Sequence, residues 1–379
     1  MSSLKQAKNL RSWVEVDLEQ IELNYKIYRS HLPSDTDIIA VVKADAYGHG
    51  AVPVAKRLAG AGVKRFAVAT LDEAIELRRG GIKGEILVLG YTAPALAGKI
   101  SRYKVTQAIV SEEHAEELLR HKRGKLSTLF AINTGMNRIG LSALESENTE
   151  HTVRRYYKEL GARGIFTHLA VAGSPRADDV EYTERQLDSF GSLLAALSDL
   201  NLTEAHALNS IGGLIYGSDT RGGEAVRLGI VLYGLLPRED FVLPKGIHPV
   251  LTWKTTASSV FKVKAGESIG YSRSYIAKRD SIIATLTTGY ADGYPRLLSG
   301  RADVLVNGRR ARVVGNICMD QMMIDVSDVG EVRTGDEVIL IGRSGDEVIT
   351  ADELASRMGT IGYEIVAGIS KRVERICIN

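Results

Sequence analysis

The 379-residue sequence predicts an α/β fold, a closed (β/α)8 barrel followed by a C-terminal, mainly β domain. Three observations carry this expectation. Eight short β-branched runs alternate with stretches of helical period between residues 38 and 234. The helical stretches open on acidic residues and close on basic residues and glycine, as helix ends prefer. After "LLPRED" the rhythm changes to short strands divided by glycine-bearing turns.

In chain order the expected barrel strands are IIAVVKA (38–44), RFAVAT (65–70), EILVLG (85–90), VTQAIV (105–110), STLFAIN (127–133), GIFTHLAV (164–171), EAHALNS (204–210) and EAVRLGIVLYG (224–234). LDEAIELRRGG and SEEHAEELLRHKRG are typical of the amphipathic stretches between them. Eight βα units over roughly 200 to 250 residues favour closure into a TIM-type barrel over an open sheet. From about residue 250, turn signals at KAGES, ADGYP, VNGRR and RTGDE mark a β module with one clear helix, TADELASRMG. The expected domains are therefore 12–245 and 246–379, with residues 1–11 packing on the second. The sequence shows neither a solenoid repeat nor a low-complexity tract.

Forty-eight basic residues against 46 acidic ones leave a formal charge of +2, which recommends neither nucleic acid nor an anionic membrane as partner. A small-molecule substrate is expected instead. The chain has no apolar run of membrane-spanning length, and "MSSLKQAKNLRSW" lacks the apolar segment of a secretory signal, so a cytoplasmic location is expected. Cys318 and Cys377 are the only cysteines and carry no zinc-type spacing, so reduced thiols and no metal are expected.

Barrel chemistry gathers where the strands end, on the C-terminal face. That rule selects Lys43 after the first strand, Arg138 after the fifth, His168 in the sixth, Asn209 and Ser210 ending the seventh, and Arg227, Gly229 and Ile230 in the eighth. A desolvated lysine loses pKa and becomes a nucleophile or base, whereas a lysine that snorkels into water is only a surface residue. From position alone both readings of Lys43 stand. The hydroxyl and backbone N–H donors around Ser210 and Gly229 suit a phosphate, and the Arg138 guanidinium suits a carboxylate. Either arginine could instead be a structural ion-pair partner, the more common fate of an arginine taken singly.

Together these residues resemble the alanine racemase family, pyridoxal-phosphate enzymes built from a (β/α)8 barrel and a C-terminal β domain. The resemblance is carried by "AVVKADAYGHG" and continues through "NTGMNRIG", "FTHLAV", "NS", "AVRLGIVLYGL", "IGYSRSY", "TTGYADGYPR", "GNICMDQMMIDV" and "IGYEIVAGISKRV", covering almost the whole chain in order. It implies pyridoxal 5'-phosphate as cofactor, with Lys43 forming the Schiff base and acting as one of two catalytic bases. Tyr47 would lie near the phosphate, His168 against the pyridine ring and Arg227 opposite the ring nitrogen. Asn209, Ser210, Gly229, Ile230 and Tyr363 would hold the cofactor, and Arg138 with the backbone at Met319 the substrate carboxylate. Tyr271, from the other subunit of a homodimer, would be the second base. Asp320 would orient Tyr290 or the Met319 peptide, or serve merely as a turn residue.

Chemistry agrees with these implied roles. Racemisation takes a proton from one face of the α-carbon and returns it to the other, so two opposed bases are needed. An arginine opposite the ring nitrogen cannot realistically surrender a proton, which leaves the pyridine a weaker electron sink and disfavours side reactions. Blander readings exist: Tyr271 beside Tyr275 as amphipathic packing, and His168 as a hydrogen-bonded core histidine. Cys318 and Met319 are expected only to line the pocket.

The sequence also departs from the family pattern. Many members carry a carbamylated lysine seven residues before the carboxylate-binding arginine, but position 131 is Ala131, and Asn133 stands where aspartate is common. A bound chloride, another small anion or a water network is expected to replace the carbamate beside Arg138, since an unpaired buried guanidinium is costly. "THLAVAGSPRADDVEYTERQ" departs at the entrance to the site, and Glu374 stands where proline is frequent. The expected activity is interconversion of L- and D-alanine, supplying D-alanine for peptidoglycan. The alternatives are a serine or broad-specificity racemase, a decarboxylase of the same cofactor, which Arg227 speaks against, and a non-catalytic cofactor-binding carrier or regulator.

Overall fold

The structure, a computed structural model, describes residues 10–379. It resolves into two compact units. One comprises Glu22–Ala46 and Ala51–Leu232, and the other comprises the described residues up to Ile21 together with Tyr47–Gly50 and Tyr233–Asn379.

The first strand, β1 (Ser12–Asp17), does not belong to the barrel, where the expected boundary at residue 12 put it. Its residues are buried almost throughout, so it needs neighbours on both edges and finds them in the other sheet.

The barrel strands follow: β2 (Asp37–Val41), β3 (Arg65–Val68), β4 (Glu85–Val88), β5 (Thr106–Ile109), β6 (Ser127–Asn133), the short β7 (Leu141–Ser142) pairing off the end of β6, β8 (Ala162–Phe166), β9 (Glu204–His206) and β10 (Ala225–Leu228). All eight expected strands are present and parallel, in the order β10-β2-β3-β4-β5-β6-β8-β9. Their apolar residues are buried on both faces, as Ile86, Leu87 and Val88 illustrate, which is what a parallel sheet covered by helices requires. Closure between β9 and β10 is irregular, through a parallel bridge of Asn209 with Arg227 and an Arg227 N–H to Leu208 carbonyl bond of 2.9 Å.

The helix ends also match their sequence signals. Thr70 and Glu73 form a capping box on Leu71–Arg79, Ser111 caps Glu112–Arg120, and Gly161 ends Ser146–Leu160 in the left-handed region. At the N-terminal ends of the strands, Arg65 and Arg163 bridge Asp37, Glu85 and Glu204 in an ion network. Charge at that end of a barrel serves stability.

The second unit is built on a nine-stranded sheet. Its strands beyond β1 are β11 (Leu251–Val263), β14 (Ser281–Leu286), β15 (Asp303–Val306), β16 (Arg309–Val314), β17 (Met322–Asp325), β18 (Glu337–Ser344), β19 (Glu347–Ile349) and β20 (Glu374–Ile378), while β12 (Ser268–Ile269) and β13 (Tyr275–Ile276) form a separate ribbon. In β11 the buried Leu251, Trp253, Thr255 and Ala257 alternate with more exposed residues, the period of a sheet covered on one face. β1 lies between β11 and β20, with Val14 opposite Trp253 and beside Arg375. Leu10 packs on Trp13 and Ile376, while residues 1–9 of the expected N-terminal contact lie outside the described residues. Besides the expected helix at Ala351–Ser356 there is a second, Gly362–Ala367, which the β reading of this region did not anticipate.

Gly164 of β8 tests the strand spacing. A Cβ there would stand 1.8 Å from the Glu204 carbonyl oxygen, whereas one on Gly60 would meet nothing within 4 Å. Gly164→Ala is expected to lower the unfolding free energy by about 2 kcal/mol or more, and Gly60→Ala to leave it unchanged or slightly higher. Urea unfolding of both variants checks the contrast.

Candidate active site

Strand β2 stops at Val41, short of the residue 44 expected from the sequence, and Lys43 opens a turn of unusual hand. Ala44, Asp45, Ala46, Tyr47 and Gly48 have φ of +50°, +54°, +54°, +54° and +83°. Residues with a Cβ avoid this region at about 1–2 kcal/mol each, so neighbouring groups must hold it. Val42 N–H donates to the Ala67 carbonyl (2.9 Å), Ala46 N–H to Val42 (2.9 Å), Ala44 N–H to Glu73 Oε1 (2.6 Å) and Ala51 N–H to Asp45 Oδ1 (2.7 Å). Past Ala46 the chain joins the other unit, where Arg375 Nε donates to the Gly48 carbonyl (3.0 Å). A Cβ on Gly48 would stand 2.2 Å from the Val366 carbonyl oxygen, so only glycine fits.

The Lys43 amine is held below the usual lysine value, chiefly by burial and by Arg138, with Glu73 opposing and Arg227 adding to the effect. Arg227 is only 4% exposed. Its Nη1 donates to the His206 carbonyl (2.8 Å) and Nδ1 (2.5 Å), and its Nη2 to the carbonyls of Thr167 (2.5 Å) and Ala207 (3.0 Å) and to His168 Nδ1 (3.2 Å). Among the described residues no carboxylate pairs with it. Burial, then Arg138, push it down to about 9, so it remains protonated at neutral pH.

His168 lies two residues past the end of β8, not within the strand as expected. Burial, then Arg227, Arg138 and Lys43, lower it to about 3. The imidazole is therefore neutral, and since its Nδ1 faces a donor, its proton is assigned to Nε2. Gln186 fixes the loop, donating to the His168 carbonyl (3.1 Å) and accepting from Ala170 N–H (2.9 Å).

Sequence reasoning missed His206. Fully buried, it stacks on Phe166 with ring centroids 5.3 Å apart, and burial and Arg227 lower its pKa well below the usual value. Its position three residues before Asn209 in a selected strand was the available signal.

Strand β9 ends at His206, so Asn209 and Ser210 lie beyond it. Asn209 Oδ1 accepts from Ile211 N–H (3.1 Å) and Gly212 N–H (2.9 Å), which commits that oxygen to capping Ser210–Tyr216. Ser210 Oγ accepts from Gly229 N–H (2.7 Å), and Ile230 opens the next helical turn, where leading amides have no partner within the turn. These small donors form one neighbourhood.

Arg138 is exposed, which removes the premise that a buried guanidinium requires an anion in place of a carbamate. Among the described residues it makes no hydrogen bond or ion pair. The preceding turn is organised by Asn133, whose Oδ1 accepts from Gly135 N–H (3.1 Å) and Asn137 N–H (2.9 Å) and whose Nδ2 donates to Asn137 Oδ1 (2.9 Å).

In the other unit, Tyr47 packs on Tyr233 with centroids 5.0 Å apart, and burial, with a contribution from Tyr363, holds its phenol above the usual value. Tyr363, on Gly362–Ala367, is raised by burial and Asp352. Tyr271 and Met319 are 72% and 54% exposed. Asn316 Nδ2 donates to the Tyr271 carbonyl (3.0 Å), while Tyr290 N–H donates to Cys318 (3.0 Å) and Ala291 N–H to Met319 (2.9 Å), so these residues share one surface. Asp320 binds Arg372 (2.7 Å) instead of Tyr290, and Arg372 also approaches the fully buried Asp292 at 3.5 Å.

The neutral imidazole has a pH signature. An unfolded histidine titrates near 6.5 and folded His168 near 3, so between these values the folded chain binds fewer protons. Its stability contribution is full above about pH 6.5 and is lost as pH falls toward 3. His168→Gln is expected to flatten the pH dependence of unfolding below about pH 6.5 by up to about 1.4 kcal/mol per pH unit. Equal slopes in denaturant titrations of variant and wild type would contradict the neutral assignment.

Comparison with known proteins gives a family for this arrangement. Models of the alanine racemase N-terminal and C-terminal domains match residues 16–237 and 250–377. Alanine racemase 1 of Clostridium acetobutylicum is 42% identical over 377 residues, covering 97% of this chain and 95% of the relative. The crystal structure of alanine racemase from E. faecalis superposes with a TM-score of 0.90 at 35% identity, covering 97% of this chain and 98% of that one. A histidine racemase from Leuconostoc mesenteroides superposes with a TM-score of 0.87 at 29% identity, covering 98% and 99%. With its barrel, its β domain and full-length likeness of this degree, the chain belongs to the alanine racemase family of isomerases.

Proposed function

We propose that the chain interconverts L- and D-alanine with pyridoxal 5'-phosphate, Lys43 and Tyr271 serving as the two bases. The observation that carries this reading is the cluster of Lys43, Arg138 and Arg227 around a neutral His168, with no carboxylate paired to either arginine among the described residues. Such uncompensated positive charge suits a phosphate-bearing cofactor and a carboxylate-bearing substrate. Ser210, Gly229 and Ile230 would hold the phosphate, with the Ser210 hydroxyl kept in place by Gly229 N–H and its helix capped by Asn209, and Tyr47 and Tyr363 would be the phenols that the family implies. When bound, pyridoxal phosphate supplies the electron sink that acidifies the substrate's α-carbon.

Lys43, its amine lowered by burial, would take or return the α-proton on one face, and the phenol of Tyr271 would do so on the other. Arg227 would meet the ring nitrogen with a proton it keeps. His168, uncharged, would stack on the ring without adding to the surrounding positive field. Arg138 and the Met319 backbone would hold the carboxylate, with Tyr290, Asp320 and Arg372 supporting the Met319 segment. The exposure of Tyr271 and Met319 supports a homodimer in which a second copy uses them. Among the described residues no helix is long and apolar enough to cross a membrane. The enzyme would work in the cytoplasm and supply D-alanine for peptidoglycan.

The histidine racemase neighbour favours a second reading, a broader substrate range, whereas Tyr363 would narrow the cavity and favour alanine. Circular dichroism of L-alanine incubated with the purified chain tests the first. Tyr271→Phe is expected to lower racemisation at least about 100-fold while leaving cofactor absorbance unchanged, and Lys43→Ala to abolish the borohydride-trapped cofactor adduct. Turnover of L-histidine or L-serine equal to that of L-alanine would replace the alanine reading with the broader one.

A further inference from the structure

We propose that Glu73 is a positioning residue for Lys43, its carboxylate clamping the left-handed turn that carries the lysine at the exit of strand β2. The inference rests on the reading of Lys43 as the cofactor lysine.

In a capping box the glutamate serves only the amide of its own N-cap. Glu73 does more. Its Oε2 accepts from Thr70 N–H (3.1 Å) and Ala69 N–H (2.7 Å), while its Oε1 reaches to a different loop and accepts from Ala44 N–H (2.6 Å). The Ala44 amide belongs to the peptide that follows Lys43, so this bond fixes the plane from which the lysine side chain departs. It also holds the first of the five positive-φ residues, where the strain of the turn begins. The clamp is anchored, because the helix Leu71–Arg79 that bears Glu73 buries Leu71, Ala74, Ile75 and Leu77.

Glu73 also has an electrostatic part. The charged groups acting on the Lys43 amine are Arg138, Glu73 and Arg227, with His168 neutral beside them, and Glu73 is the one that favours the ammonium. One carboxylate thus sets both the place of the amine and its balance between charged and neutral forms.

The test uses the full chain freed of cofactor. Trace acetylation of Lys43 by acetic anhydride, followed by peptide mass spectrometry across pH, gives the midpoint at which the amine becomes reactive, and absorbance titration gives the affinity for pyridoxal 5'-phosphate. Glu73→Gln is expected to move the midpoint to lower pH and to weaken pyridoxal phosphate binding about tenfold. Glu73→Asp keeps the charge but shortens the reach, and is expected to fall between variant and wild type. Thr70→Ala removes a cap without touching the clamp, and should lower thermal stability while leaving midpoint and affinity unchanged. Wild-type midpoint and affinity in whichever Glu73 variants fold would reduce Glu73 to a helix cap and overturn the inference. Absence of any borohydride-stable pyridoxal phosphate adduct at Lys43 in the wild type would instead refute the reading of Lys43 and leave the clamp to be judged on the acetylation midpoint alone.

Discussion

The guanidinium of Arg227 is the constraint around which the barrel mouth is arranged. Burying such a group is expensive unless its donors are met, and a carboxylate partner is the usual remedy. Here its donors go to the carbonyls of Thr167, His206 and Ala207 and to two imidazole nitrogens, so the hydrogen bonds are satisfied while the charge is left uncompensated. Burial is the larger influence on the titratable groups nearby, and that field adds to it. Lys43 is pressed toward its neutral form, and His168 and His206 are kept from protonating.

The same side chain finishes the fold. Strand β9 ends at His206, and no regular ladder continues between it and β10. The His206 carbonyl also accepts from Thr167 N–H (3.2 Å), but the carbonyls of Thr167 and Ala207, just past the ends of β8 and β9, would be left without those donors in a buried setting, a cost that proteins rarely tolerate. Arg227, rising from β10, supplies those donors. Barrel closure and the charge of the candidate site therefore come from one residue, and a substitution there would be felt in both stability and chemistry.

Much of this was legible in the sequence because it depends on local rules. The eight parallel strands are continuous apolar runs, and the helix ends carry their caps and charges, so period and punctuation sufficed. Lys43, Arg138, Ser210 and Arg227 were legible because barrels expose chemistry at strand ends. Less legible was anything set by tertiary context. Ala44 to Tyr47 have side chains that ordinarily avoid positive φ, so only packing and hydrogen bonds to distant groups such as Glu73 force the left-handed turn. His206 sits in a three-residue strand three residues before Asn209, a position that hints at the site but does not show that its imidazole meets Arg227. β1 reads like any buried strand, and its membership in the β unit depends on pairing with β11 and β20, more than 200 residues away. The reach of Asp320 to Arg372 is likewise long-range, which is why a nearby aromatic partner was expected in its place.

Two unfavourable features, backbone strain at Ala44–Gly48 and unpaired positive charge at Arg227 and Arg138, meet at Lys43. Coincidences of this kind are characteristic of functional sites, where the remainder of the fold bears a local cost. An anionic ligand would relieve the electrostatic part on binding, and the relief would appear as added stability in proportion to its occupancy. The strain is of a different kind, because it lies in the backbone and fixes where the amine begins, and no counter-charge relieves it. Charge thus sets how strongly an anion is held, whereas the turn sets where the amine stands when the anion arrives. The uncompensated Arg227 and the carboxylate at the lysine turn are then complementary choices: the cation is left for an anionic ligand to balance, while Glu73 is committed to backbone amides and only partly offsets the positive charge felt at Lys43.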